Sequence, residues 1–103
     1  MPRFLTVLIV IPVVLAGCAW VPLTEEGASV RVVDREQTAN CRKIGETTAR
    51  VRDRVAAVQR KPGKVAAELE RLARNEAAEL GGNRIVALGP VAQGRRSYAV
   101  FSC

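Results

Sequence analysis

The residues of this chain that could do chemistry are three cysteines, a row of arginines and one glutamate inside an apolar stripe. Histidine, the commonest general base at neutral pH and a frequent metal ligand, is absent from the 103 residues. No paired acids and no nucleophile beside a base are visible in the spacing. The sequence therefore predicts a protein that is not an enzyme and that uses no metal and no cofactor.

Basic residues concentrate in one quarter of the chain. Residues 42–64 hold eight Lys or Arg against two acidic residues, while the whole sequence has 16 against 10 and a formal charge of +6. Arg50, Arg52 and Arg54 alternate along the chain, so on one strand their side chains would share a face. Such a row suits bidentate pairing with phosphates or carboxylates. The plainer alternative is a solvated face of a sheet.

Glu76 lies among the apolar residues of a predicted helix. One interpretation makes it a buried functional acid. The interpretation we favour has its carboxylate bonded to a backbone amide or to an arginine at the sheet edge. Asn75 and Asn83 are expected to bond nearby backbone, near the helix end and in the turn that follows.

Residues 1–17 are predicted to be an export signal. Arg3 is followed by the apolar run Phe4–Ala16, interrupted by Thr6 and Pro12. As a helix this run would be about 20 Å long, short of the ~30 Å core of a bilayer, and Pro12 would break it. The pattern is typical of a cleaved signal peptide, with a helical membrane anchor as the alternative.

The segment Leu15-Ala16-Gly17-Cys18 resembles the processing box of bacterial lipoproteins. In that family the cysteine receives a diacylglycerol, the chain is cut before it, and the new amine is acylated. The resemblance implies a mature terminus at Cys18 carrying fatty acyl chains such as palmitate, which would anchor the protein stably; an ordinary secretory cut is the alternative. Ala19 stands where inner-membrane lipoproteins often carry Asp, which favours the outer membrane, with the domain facing the periplasm.

If Cys18 is lipidated, Cys41 and Cys103 are the cysteines that remain. The periplasm is oxidising, so the expected outcome is a Cys41–Cys103 disulfide. It would close a loop of roughly 62 residues and disfavour the unfolded chain by about 4 kcal/mol. A redox-active pair is the alternative, although no C-x-x-C motif is present.

The predicted domain boundaries are a signal peptide over 1–17, a lipidated tether over 18–28 and one small domain over 29–103. Apolar residues at i, i+3 and i+4 predict a helix over about 64–80, preceded by Pro62-Gly63 and ended by Gly81-Gly82. Short β-branched stretches predict strands over 30–33, 42–54, 85–88 and 97–103, while residues 53–61 remain ambiguous between strand and helix. The expected fold class is α+β, with two layers: one main helix packed on a small, mainly antiparallel sheet of about four strands.

Three stretches of the mature chain resemble a family of small bacterial lipoproteins, mostly without known activity: Cys41-Arg-Lys-Ile-Gly-Glu46, Leu72 to Asn83 followed by Ile85-Val86, and Tyr98-Ala-Val-Phe-Ser-Cys103. More distantly, the helix-Asn-strand pattern is similar to the outer-membrane lipoprotein that senses envelope stress for the Rcs phosphorelay. That sensor has four disulfide-bonded cysteines and a long proline-rich linker, which this chain does not have.

These observations predict an envelope lipoprotein that acts by binding, with Arg50, Arg52 and Arg54 as the contact for an anionic surface such as lipopolysaccharide or for an acidic envelope protein. The alternatives are a stress sensor that signals through a partner protein and, least favoured, an enzyme. Nucleic acid is not expected as a partner, because the chain is predicted to be exported and has few aromatic residues for stacking. Neither the oligomeric state nor the molecular activity follows from the sequence.

Overall fold

The structure, a computed structural model, describes residues 21–103. The predicted signal peptide, the predicted lipidation site Cys18 and the start of the predicted tether lie outside the described residues. In chain order the elements are helix α1 (Glu25–Ala28), strand β1 (Arg31–Val32), a 3-10 turn (Arg35–Thr38), strands β2 (Arg42–Arg50), β3 (Arg54–Val55) and β4 (Val58–Gln59), helix α2 (Pro62–Glu79), and strands β5 (Arg84–Ala87) and β6 (Arg95–Ser102).

The main sheet has four strands in the order β1-β5-β6-β2. Strand β6 runs antiparallel to both of its neighbours, and β1 runs parallel to β5. Strands β3 and β4 form a separate two-stranded antiparallel hairpin. The prediction of one main helix with a mostly antiparallel sheet of four strands is confirmed, and the hairpin is an addition that the sequence left open.

Helix α2 begins and ends where local chemistry requires. Pro62 occupies its first turn, where a missing N–H costs nothing. Its end is marked by Gly81, whose φ of +83° lies in the left-handed region that favours glycine. The helix therefore begins two residues earlier than the sequence predicted, at Pro62, and ends at Glu79, one residue earlier than predicted.

The core lies between one face of α2 and the main sheet. The residues that α2 contributes recur at every fourth position, namely Val65, Leu69, Ala73 and Ala77. They meet Ala49, Ile85, Tyr98 and Val100 of the sheet. Tyr98, Leu69, Ile85, Val30 and Val100 are the largest side chains buried completely. Burial raises the pKa of the Tyr98 hydroxyl, and within residues 21–103 every buried side-chain nitrogen or oxygen has a hydrogen-bond partner.

Cys103 is held at the start of β2. The sulfurs of Cys41 and Cys103 lie 2.02 Å apart, at disulfide distance, with their Cα atoms 4.5 Å apart. The side chain of Asn83 accepts a hydrogen bond from the Cys103 amide at 2.8 Å and donates to its carbonyl at 2.9 Å. The prediction that Asn83 bonds local backbone was wrong, because β5 begins beside the end of β6 and brings a distant chain segment within reach.

The segment predicted as the second half of the tether lies on the domain. Asn75 of α2 accepts from the Thr24 amide and donates to the Pro22 carbonyl, both at 2.9 Å. Arg74 donates to the Val30 carbonyl at 2.8 Å and to the Ala28 carbonyl at 3.1 Å. Asn75 therefore bonds a distant segment and not the local backbone, contrary to prediction, and it holds Pro22 and Thr24 against α2.

Candidate functional site

Two arginines face each other at one end of the main sheet. Arg50 is the last residue of β2, and its partner across the ladder is Arg95, the first residue of β6. Cross-strand partners share a face of the sheet, where like charges repel. Both residues are exposed, and within residues 21–103 neither side chain has a hydrogen bond or an ion pair. A bound anion would relieve this repulsion.

The alignment of Arg50, Arg52 and Arg54 on one strand, expected from their spacing, was wrong. Strand β2 ends at Arg50, Arg52 lies in the link that follows, and Arg54 begins β3. The reason is the length of the neighbouring strand. The Val51 amide still donates to the Gly94 carbonyl at 2.8 Å, but β6 starts only at Arg95, so the chain beyond Val51 has no strand to pair with. All three arginines are exposed.

The hairpin β3–β4 occupies the stretch that the sequence left between strand and helix. Its turn residues Ala56 and Ala57 have φ values of 48° and 66°, a left-handed conformation that costs a non-glycine residue about 1–2 kcal/mol. Val55 and Val58 pair directly across the hairpin and are 55% and 68% exposed. The tip thus presents apolar side chains to solvent on a strained turn.

Arg60 fixes the base of this hairpin to α2. Its backbone amide donates to the Asp53 carbonyl at 2.8 Å, and its guanidinium donates to the Arg52 carbonyl at 2.8 Å. The same guanidinium donates to both carboxylate oxygens of Glu68, with Nη1 to Oε2 at 3.0 Å. Glu68 is only 6% exposed. Hydrogen bonding to Arg60 lowers the pKa of Glu68 despite its burial, and the carboxylate raises the pKa of Arg60.

The charges of α2 are arranged against its dipole. The first turn has no acidic residue, contains Lys64 and follows Lys61, whereas the last turn has no basic residue and contains Glu76 and Glu79. A helix is stabilised by the opposite arrangement. The positive helix terminus therefore adds to the charge of the nearby side chains. We use the term basic end for the exposed cations of this region: Arg50, Arg52, Arg54, Lys61, Lys64 and Arg95.

The prediction that Glu76 lies among the buried residues of the helix was wrong. Glu76 is exposed, while Glu68, eight residues earlier on the same helix, is buried. Arg60 at the hairpin base covers Glu68. The sequence pattern did not predict the Arg60–Glu68 pair, because Arg60 lies in the link before α2 and Glu68 lies within the helix. It did not predict Arg95 as a site residue, because only the pairing of β6 with β2 brings Arg95 opposite Arg50.

A shallow cleft of about 290 Å³ adjoins the basic end. The hydroxyls of Thr48 and Ser97 line it and lie 2.9 Å apart, with Arg95 and Arg96 beside them. Its lining contains no acid and no thiol that could act as a base or a nucleophile. Among residues 21–103 no group of acids and cysteines is placed to hold a metal ion.

None of the helices in the described part of the chain has the length and apolar character needed to cross a bilayer.

The chain belongs to the family described as domain of unknown function DUF4156, whose model matches residues 21–103. The matched region contains the basic end, the hairpin, and both Cys41 and Cys103. No curated protein and no solved structure matches the chain.

Proposed function

We propose that this chain is a lipid-anchored, non-catalytic protein of the bacterial cell envelope that binds an anionic surface through its basic end. The observation that carries the proposal is the pair Arg50 and Arg95, two exposed guanidinium groups opposite each other on one sheet face, each without a partner in residues 21–103. Arginine pairs well with phosphate oxygens, and the phosphates of lipopolysaccharide or of anionic lipids suit an envelope protein.

In this proposal the lipid on Cys18 anchors the protein in the outer membrane. The outer membrane is favoured because Ala19, and not the Asp typical of inner-membrane lipoproteins, follows Cys18. The contacts of Asn75 with Pro22 and Thr24 support a short tether. Even fully extended, the chain from Cys18 to Pro22 reaches no more than about 14 Å. The basic end would therefore lie no farther from the lipid headgroups than the length of this tether plus the width of the domain.

The anchor is tested by the intact mass of the full-length protein taken from the membrane fraction. We expect a chain that begins at Cys18 and carries the added mass of its acyl groups. Recovery of an unacylated mature chain from the periplasm would contradict the proposal.

The basic end is tested by binding of residues 21–103, first shown to be folded by circular dichroism, to vesicles that contain phosphatidylglycerol or lipopolysaccharide. Each basic residue near an anionic surface contributes about 1 kcal/mol, so the triple variant Arg50→Gln, Arg52→Gln, Arg54→Gln is expected to bind about 100-fold more weakly. Added salt should weaken the binding of the wild-type protein to these vesicles, because salt screens the attraction between the arginines and the lipid phosphates.

The matched control for this experiment removes three other exposed arginines: Arg31→Gln, Arg35→Gln and Arg42→Gln. The net charge changes equally, but the basic end stays intact. An equal loss in both triple variants would show that only net charge matters. Absence of binding by the wild-type protein would return the arginines to the role of a solvated face and direct attention to a protein partner.

A further inference from the structure

The hairpin β3–β4 and the segment that leads to the proposed anchor lie on the same flank of α2. Arg60 holds the hairpin base at Glu68, and Pro22 and Thr24 are held at Asn75. Glu68 and Asn75 are seven residues apart, which is about 20° short of two full turns. Their separation along the helix axis is therefore only about 10 Å.

The hairpin has the chemistry of a membrane-surface contact. Adjacent residues of a strand point to opposite faces, so the pair Val55 and Val58 lies on one face and the pair Arg54 and Gln59 on the other. The Arg54 Nε donates to the Gln59 side chain at 3.2 Å, which keeps the polar face together. An apolar tip flanked by cations matches the interface of an anionic bilayer, where apolar groups enter and cations meet phosphates.

The exposed valines form the one paired apolar projection among residues 21–103. The remaining large apolar side chains that are exposed, Val32, Leu80 and Leu88, belong to separate elements or loops. Arg60 ties the hairpin base to the buried Glu68, so the tip is held in place and does not fold back on the core.

We propose that the β3–β4 hairpin is a second membrane contact, in which Val55 and Val58 enter the interfacial region of the same anionic bilayer that holds the lipid on Cys18. Arg52 and Lys61 lie next to the hairpin and meet the lipid phosphates. The domain is then fixed at two points on one flank of α2. The inference rests on the proposed lipid anchor.

The experiment uses the full-length protein reconstituted into vesicles of phosphatidylcholine with or without phosphatidylglycerol. Trp20 is the single tryptophan of the chain, so Trp20→Phe gives a silent background. Val58→Trp then reports on the hairpin tip, and Leu80→Trp, at a site that is 50% exposed beyond the other end of α2, is the matched control. Lipids brominated near the headgroup quench tryptophans that enter the interface.

We expect the Val58→Trp reporter to shift to shorter wavelength and to be quenched several-fold more than the Leu80→Trp reporter, and more strongly when phosphatidylglycerol is present. Equal quenching of the two reporters would overturn the proposal. As a second measurement, the double variant Val55→Ser, Val58→Ser in residues 21–103 should bind phosphatidylglycerol vesicles roughly tenfold more weakly, because two apolar contacts are lost. Unchanged binding would also overturn it.

Failure of this inference and failure of the proposed function give different results. If the hairpin does not insert, Cys18 still carries its acyl mass and the Arg50, Arg52 and Arg54 triple variant still binds less. If the anchor is absent, the intact mass shows it directly.

Discussion

Single side chains decide where the outlying segments of this small domain are held. Arg60 and Glu68 connect the hairpin to α2, while Arg74 and Asn75 connect the segment 22–30 to the same helix. Each of these side chains bonds backbone groups of the outlying segment or a charged partner, and the replacement of one side chain therefore leaves a polar partner unsatisfied.

At the residue scale, Glu68→Gln is expected to lower the unfolding midpoint by roughly 5–10 °C, because a charge-assisted pair is replaced by a neutral one. Glu70→Gln is the matched control, since Glu70 is more exposed and lies 4.0 Å from Arg74, and exposed pairs contribute little. Thermal unfolding followed by circular dichroism measures both variants. Similar midpoints for the two would contradict the role of Glu68.

The pair of Arg60 and Glu68 makes the stability of the folded protein depend on pH. Hydrogen bonding to Arg60 lowers the pKa of Glu68 from its ordinary value of 4.5, so the folded protein binds this proton less tightly than the unfolded chain. The stability from the pair is complete above pH 4.5 and is lost as the pH falls through the lower, folded value. The midpoint difference between wild type and Glu68→Gln should accordingly shrink on acidification.

A further prediction at the scale of single residues concerns Asn75. Asn75→Ala removes the bonds to Pro22 and Thr24, so the amide hydrogens of residues 22–30 should exchange with solvent about tenfold faster, as expected for the loss of roughly 1.4 kcal/mol of local stability. The exposed neighbour Glu76 supplies the control Glu76→Ala. Unchanged exchange in the Asn75 variant would show that this segment is held by other contacts.

At the element scale, the hairpin stores strain in its turn. Ala56 and Ala57 both have positive φ, a geometry for which Asn-Gly is the preferred pair. The double substitution Ala56→Asn, Ala57→Gly is expected to stabilise the hairpin by about 1 kcal/mol. Slower hydrogen exchange of the Arg60 backbone amide, which donates to the Asp53 carbonyl, would report this stabilisation.

The control for the turn is Ala67→Gly in α2, an exposed helical position. Glycine should destabilise the helix there by about 1 kcal/mol, because negative φ suits alanine. If both changes were destabilising, the left-handed turn would not be a source of strain.

At the scale of the whole molecule, stability depends on the link between the outer strand β2 and the end of β6. Cys41 precedes β2 and Cys103 follows β6, at a sequence separation of 62. For a core this small, the double variant Cys41→Ser, Cys103→Ser is expected to lose up to about 4 kcal/mol of unfolding free energy. Urea unfolding measures it, and thiol titration of the denatured wild type should find neither cysteine free. A variant as stable as the wild type would show that the link contributes nothing.

How much of this fold follows from sequence depends on the range of the interactions. Helix α2 and strands β2, β5 and β6 are near their predicted positions, because periodic apolar residues, Pro62 and Gly81 act over a few residues. The concentration of basic charge in residues 42–64 is likewise readable from the chain alone.

Which residues meet depends on the tertiary structure. Arg95 joins Arg50 because β6 pairs with β2, and β2 ends at Arg50 because β6 offers no partner beyond Arg95. Glu68 is buried because Arg60 at the hairpin base packs on it, whereas Glu76, which the apolar pattern placed among the core residues, is exposed. Burial of a helix position depends on what packs against it, and the contact from Arg60 to Glu68 spans eight residues, from the hairpin base into α2, which the periodicity of the helix alone does not predict.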